Sequence, residues 1–141
     1  MNPLYTAEVT AKGGREGQVV SSDGIINLDV KMPKSLGGAG GEGTNPEQLF
    51  AAGYAACFDS ALNLVIRNKK IQGVQGTKVT AKVSILKDET DNGFKLEVEL
   101  NAKVDGVDRQ TAQDLIEQAH QVCPYSKATR GNIKVNLQAE E

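Results

Sequence analysis

The sequence predicts a single α+β domain, and three observations predict it. Apolar residues alternate at period two along several segments, two other segments carry helical apolar spacing with capped or broken ends, and the chain, at 141 residues, has the length of one domain. A chain of this size buries about 65–70% of the surface its unfolded form exposes, enough for one core.

Tyr5, Ala7, Val9 and Ala11 alternate with polar residues, and Ile26, Leu28, Val30 and Met32 repeat the pattern just after the turn signal Ser22-Asp23-Gly24. Both runs read as antiparallel strands. The glycine-rich run over 37–43 lacks the Lys-Ser/Thr of a phosphate loop and reads as a mobile connector.

A helix should start at Thr44 or Asn45. Asn45 with Pro46 at the first helical position is one good cap, and Thr44 with Glu47 three residues on is a capping box. Its end falls near 67–70, where the positive charge suits a helix C-terminus. Leu49, Phe50, Ala52, Tyr54, Ala56, Phe58, Ala61, Leu62, Leu64 and Val65 cover most of its circumference, the pattern of a central buried helix.

Val79, Ala81, Val83 and Ile85, then Phe94, Leu96, Val98, Leu100, Ala102 and Val104, form the clearest pair of strands, with 88–93 as the turn. A second helix, from about Asp108 to Val122, places Ala112, Leu115, Ile116, Ala119 and Cys123 on one stripe. Pro124 forces its predecessor out of helical geometry and leaves Cys123 at a helix end. A last strand, Ile133, Val135 and Leu137, follows a turn at Gly131.

Sixteen basic and eighteen acidic residues leave a net charge of −2 with no basic block, so nucleic acid and anionic membranes are not expected partners. The N-terminal residues carry no signal-peptide pattern, and the longest apolar run, 49–58, is about half the ~20 residues of a membrane span. A cytoplasmic protein is expected. In that reducing compartment a disulfide should be transient and chemical rather than structural.

The chain has two cysteines, Cys57 and Cys123, 123 − 57 = 66 residues apart. That spacing excludes a zinc knuckle or a CxxC motif. Each cysteine is either inert filler or one of a pair brought together by the fold, one thiol attacking and the other resolving. A free thiol with a pKa of ~8.5 is only a few per cent ionised at neutral pH, and burial opposes ionisation further. Cys57 therefore needs a cation. Arg15, flanked by glycines in Gly13-Gly14-Arg15-Glu16-Gly17, stands out, since a guanidinium ~4 Å from the sulfur contributes up to ~4 kcal/mol at an effective dielectric of ~20. Glu47 could orient Arg15 through a bidentate pair, whereas Glu47 alone beside the sulfur would oppose ionisation. Each residue also has a plainer reading: Arg15 as a solvated loop charge, Glu47 as a helix N-terminal acid, His120 as an ordinary helix-surface histidine, and the aromatics as core. Cys57, Cys123, His120 and Glu47 are of metal-ligand type but have no ligand-pair spacing.

The stretch Thr44-Asn45-Pro46-Glu47-Gln48-Leu49-Phe50-Ala51-Ala52-Gly53-Tyr54-Ala55-Ala56-Cys57-Phe58, with Val122-Cys123-Pro124-Tyr125-Ser126 and Ala128-Thr129-Arg130-Gly131-Asn132, closely resembles the organic hydroperoxide resistance branch of the OsmC/Ohr superfamily. The resemblance covers nearly the whole chain, and Phe50 with Gly53-Tyr54 looks more like this branch than like OsmC proper. It implies antiparallel strands wrapped around the central buried helix and a second helix, in an intertwined homodimer with two sites at the subunit interface. It also implies a thiol peroxidase without a cofactor, in which Cys57 matches the peroxidatic cysteine, Cys123 the resolving cysteine, and Arg15 and Glu47 the pair that activates the thiolate. The reductant implied is a lipoyl dithiol, such as a lipoylated protein. Preference for an organic hydroperoxide follows if the substrate tail lies on Phe50, Tyr54, Phe58 or Tyr125, each buried methylene contributing ~0.8 kcal/mol.

One geometric consequence concerns Glu47, which precedes Cys57 by 57 − 47 = 10 residues. On one straight helix that is about 15 Å of rise and roughly 80° around the axis. Either the helix breaks between them, or a second subunit supplies at least one of Arg15 and Glu47. Three function classes follow from the residues: a thiol peroxidase that loses both thiols to peroxide, a thiol hydrolase that acylates Cys57 and has no need of Cys123, and a redox-inert binding module in which neither cysteine matters.

Overall fold

The computed structural model describes residues 1–140. The chain divides into two compact units, Met1–Leu49 and Phe50–Glu141.

The first unit is a three-stranded antiparallel sheet, β1 (Val9–Lys12), β2 (Gly17–Ser21) and β3 (Asn27–Val30), in that order. The alternating run from Tyr5 becomes strand only at Val9, where β2 begins to supply a partner, with Val9 opposite Ser21. β2 itself was not expected, because its two apolar residues, Val19 and Val20, are adjacent and show no alternation. The β2–β3 turn forms where the sequence places it, with Ser21 Oγ donating to Asp23 Oδ1 at 2.6 Å and the Ile25 N–H donating to the same oxygen at 3.0 Å. The glycine run is tied down by backbone bonds, among them Gly38 N–H to Pro33 O and Gly40 N–H to Met32 O at 3.1 Å each, so the expected mobile connector is a hydrogen-bonded loop. It returns Thr44 to the end of β3, where the Lys31 N–H donates to Thr44 O and the Thr44 N–H to Asp29 O.

Helix α1 runs unbroken over Pro46–Asn68. Asn45 is its cap, its Oδ1 accepting the Gln48 N–H at 2.8 Å. The alternative capping box does not form, because Thr44 Oγ1 donates to Gln48 Oε1 and the Glu47 carboxylate is engaged elsewhere. By length and apolar composition α1 could cross a membrane, longer than the 49–58 run implied. One face, Tyr54, Phe58, Ala61, Leu62, Val65 and Ile66, is instead buried within the chain. The helix is not buried all round, since Leu64 is 42% exposed.

The second unit sets α1 and α2 (Arg109–Val122) against one sheet, in the order β4 (Gly76–Asp88), β5 (Gly93–Asp105), β6 (Val135–Ala139). β4 and β5 form the expected hairpin, in register from Asp88–Gly93 to Gly76–Asp105. Asp88 and Asp91 close its turn by accepting the N–H groups of Thr90 and Gly93. Val98, Leu100, Ala102 and Val104 of β5 share a core with the buried face of α1 and with Ala112, Leu115, Ile116 and Ala119 of α2. The last strand departs from the antiparallel expectation: β6 pairs in parallel with β5, because the helical connection crosses over and returns the chain in the same direction. That connection holds an element the sequence did not announce, the short helix α3 (Pro124–Thr129), started by Pro124 at its first position. Beyond Cys57 on α1, Thr77 of β4 donates to Asp59 Oδ1 at 2.6 Å and accepts from Asn63 Nδ2 at 2.9 Å, which pins the helix to the sheet.

Candidate active site

In the first unit Arg15 sits on a single 3₁₀ turn, Gly14–Glu16, between β1 and β2. The turn needs its glycines: Gly13 has a left-handed backbone (φ 84°), and a Cβ on Gly17 would lie 1.7 Å from the Lys12 carbonyl oxygen. From this turn the guanidinium reaches Glu47 as a fork, Nη1 to Oε2 at 3.0 Å and Nη2 to Oε1 at 2.9 Å. The bidentate pair expected from the sequence is present. Arg15 holds the Glu47 carboxyl below the usual carboxylate range, against an opposing push from burial, and Glu47 in turn raises Arg15.

In the second unit the two cysteines are free thiols, Cys57 half-buried on α1 and Cys123 fully buried at the bend between α2 and α3. Cys123 ends α2 with an extended backbone (φ −68°, ψ 124°), as Pro124 requires, and the same residue opens α3. Its thiol is close enough to Cys57 to act on that residue's ionisation. Burial pushes the Cys57 thiol above its ordinary range, the backbone N–H of Tyr125 at the start of α3 pulls it back, and the neighbouring Cys123 raises it because two adjacent sulfurs resist a second charge. Two free thiols are thus neighbours, and burial holds the one on α1 in its neutral form unless a positive charge lies beside it.

The four aromatics separate into two kinds. Tyr54 and Phe58 are 0% exposed and belong to the core. Phe50 is partly buried, and Tyr125, 39% exposed, lies over the α1 backbone at Gly53, one turn before Cys57. The Phe50 and Tyr125 rings meet edge to face at 6.3 Å and form an apolar wall on the cysteine's N-terminal side.

The OsmC-like protein family model matches residues 38–138, more than half the chain. The organic hydroperoxide resistance protein OhrA of Bacillus subtilis is 56% identical over 144 residues, covering 99% of this chain and 98% of the relative. This chain belongs to the organic hydroperoxide resistance branch of the OsmC-like family. Among solved structures, an organic hydroperoxide resistance protein from Elizabethkingia anophelis matches with a TM-score of 0.92 and 58% identity, covering 100% of this chain and 99% of the other. OhrB of Bacillus subtilis matches with a TM-score of 0.90 and 49% identity, covering 98% and 100%.

This member of the OsmC-like family also carries polar residues beside the cysteines that sequence reasoning passed over. The Tyr54 hydroxyl lies 2.8 Å from Ser126 Oγ and 3.0 Å from Thr129 Oγ1, and Ser126 Oγ lies 2.8 Å from His120 Nδ1. His120 is therefore a half-buried, hydrogen-bonded residue and not an ordinary surface histidine. The one signal in the sequence was the coincidence of Tyr54, His120 and Ser126 each standing three residues from a cysteine, which has no meaning until the chain is folded.

Proposed function

We propose that this organic hydroperoxide resistance family member is a cysteine-based thiol peroxidase that reduces organic hydroperoxides to alcohols. The observation that carries the reading is the half-buried Cys57 thiol with a second, buried thiol as its neighbour, Cys123 and the Tyr125 backbone N–H both acting on its ionisation. The Cys57 thiolate attacks the distal peroxide oxygen; an S–O bond forms, the O–O bond breaks, and the alkoxide leaves and takes a proton to become the alcohol. The Cys123 thiol then attacks the Cys57 sulfenic sulfur, forming the S–S bond and releasing water. Burial keeps Cys123 from the peroxide while leaving it in reach of its partner sulfur. A dithiol, of which lipoylated protein is the proposed source, returns two electrons and two protons and restores both thiols. The chemistry calls for no cofactor.

Arg15 and Glu47 are the proposed activating pair. A guanidinium near Cys57 would offset the burial that holds its thiol up, and the fork with Glu47 fixes the guanidinium's plane. Phe50 and Tyr125 are the proposed contacts for the substrate's apolar tail. The active form is proposed to be a homodimer working in the cytoplasm. Titrating thiols before and after one equivalent of tert-butyl hydroperoxide tests the reading: both thiols of each chain should disappear together and return on adding dihydrolipoamide. Two unchanged thiols, or an acyl adduct on Cys57 after exposure to activated esters in place of peroxide chemistry, would sink it.

A further inference from the structure

The polar cluster behind the cysteines has a direction. Thr129 Oγ1 donates to the Ser126 carbonyl at 3.2 Å, so its one proton is spent and it must accept from the Tyr54 hydroxyl. Tyr54, having donated, accepts from Ser126 Oγ, which in turn accepts from His120 Nδ1. The chain therefore runs His120 Nδ1–H to Ser126 to Tyr54 to Thr129 to a backbone carbonyl, each hydroxyl donating once and accepting once. It requires the proton on Nδ1 of His120, and protonating the ring leaves that donor in place. Tyr54 and Ser126 are fully buried, and no buried side-chain polar atom among the described residues lacks a partner. A fully satisfied network of this kind is cooperative and rigid.

Its anchor points surround the cysteines. Tyr54 is one turn before Cys57 on α1, His120 is one turn before Cys123 on α2, and Ser126 is three residues after Cys123 on α3. At the bend itself Pro124 has no N–H, and no side chain caps α3. The position of the Cys123 sulfur is thus set by whatever ties α3 to α1 and α2. Ser126 makes both ties, and Arg130 adds a third by donating to the His120 carbonyl.

We propose that this hydroxyl chain, with His120 and Ser126 as its positioning residues, holds the bend at Cys123 where its sulfur can close on Cys57. The proposal rests on the thiol peroxidase reading and concerns its second step alone, in which the Cys123 thiol displaces hydroxide from the Cys57 sulfenic acid and water leaves. Misplacing a reacting atom by 1 Å can cost ~100-fold, so a loosened bend should slow closure by on the order of tenfold.

The test uses the full-length protein with His120→Phe, which removes the donor, His120→Gln, which restores a side-chain N–H, and Ser126→Ala. Each is mixed with one equivalent of tert-butyl hydroperoxide in a single turnover, with hydroperoxide loss, dimedone-trapped sulfenic acid and disulfide followed separately, well below each variant's unfolding temperature. His120→Phe and Ser126→Ala should consume hydroperoxide at nearly the wild-type rate but accumulate sulfenic acid, with closure slowed roughly tenfold, and His120→Gln should recover most of the closure rate. Should Ser126→Ala not fold, the His120 pair at the half-buried end of the chain decides the matter. Wild-type closure rates in His120→Phe, or an equal slowing in His120→Gln and His120→Phe, would overturn the positioning role. A wild-type protein that consumes no hydroperoxide would instead overturn the peroxidase reading beneath it.

Discussion

A methyl group added at Gly53 would lie 2.5 Å from the Tyr125 hydroxyl and 3.0 Å from its ring. Replacing a helical glycine by alanine stabilises by up to ~1 kcal/mol, and Tyr125 is exposed enough to swing aside, losing ring contacts of ~0.5–1.5 kcal/mol each. Tyr125 has two such contacts, to Phe50 and Tyr54, so Gly53→Ala should cost up to ~2 kcal/mol of stability while disordering the wall beside Cys57. Preference for cumene hydroperoxide over hydrogen peroxide, read as a ratio of kcat/KM values, should fall; an unchanged ratio would show that Tyr125 does not contact substrate. At Cys123 the expectation is kinetic: Cys123→Ser should reduce one equivalent of hydroperoxide and then stall as sulfenic acid or overoxidise, and normal turnover with a dithiol would remove its resolving role. His120 governs acid behaviour, its pKa lowered by burial and by Arg130. Because the folded value lies below the unfolded one of ~6.5, the unfolded chain binds the extra proton first, and stability present above that pH is lost as pH falls through it. Glu47, also lowered, adds a second loss below its ordinary ~4.3. Urea midpoints across pH 3–8 should show both phases, and His120→Gln should remove the upper one.

The helices and the long hairpin are legible in the sequence because each carries its own signals: Asn45-Pro46 for the start of α1, Asp108 capping the Thr111 N–H at 2.7 Å for α2, and strict alternation for β4 and β5. The elements that were not legible lack such signals. β2 offers two adjacent valines and exists because β1 and β3 pair on either side of it, and α3 is six residues long, too short for a periodicity. The same division holds at the site. Two cysteines and a glycine-flanked arginine stand out by type, whereas the hydroxyl chain joins residues 72 and 75 positions apart that no spacing rule connects. The cap can be tested directly. Asn45→Ala should cost ~1 kcal/mol in chemical denaturation, and Thr44→Ala distinctly less, because the Thr44 hydroxyl bonds a side chain and leaves the helix N–H groups to Asn45.

The first unit, Met1–Leu49, has one buried large apolar residue, Val30, while Leu4, Tyr5, Val9, Ile25 and Leu28 are exposed. A segment of that size with so small a core of its own does not stabilise itself, and the apolar side of α1 around Leu64 is uncovered as well. A second copy of the chain is the proposed cover, as an obligate homodimer in which monomerising substitutions remove activity along with stability. The site argues for sharing on separate grounds. With α1 unbroken over Pro46–Asn68, a first turn folded back between Glu47 and Cys57 is ruled out, and of the two arrangements open from the sequence only a site drawing on both chains is left as the proposal. Mixing Cys57→Ser and Arg15→Ala homodimers, each inactive alone, distinguishes the cases. In a shared arrangement every heterodimer pairs the intact Cys57 of one chain with the intact Arg15 of the other and has one working site. Random exchange makes half the dimers heterodimers, so peroxidase activity should climb to about a quarter of wild type as exchange proceeds. If exchange is proven by mass spectrometry of differently tagged subunits and the mixture stays inactive, each chain builds its site alone.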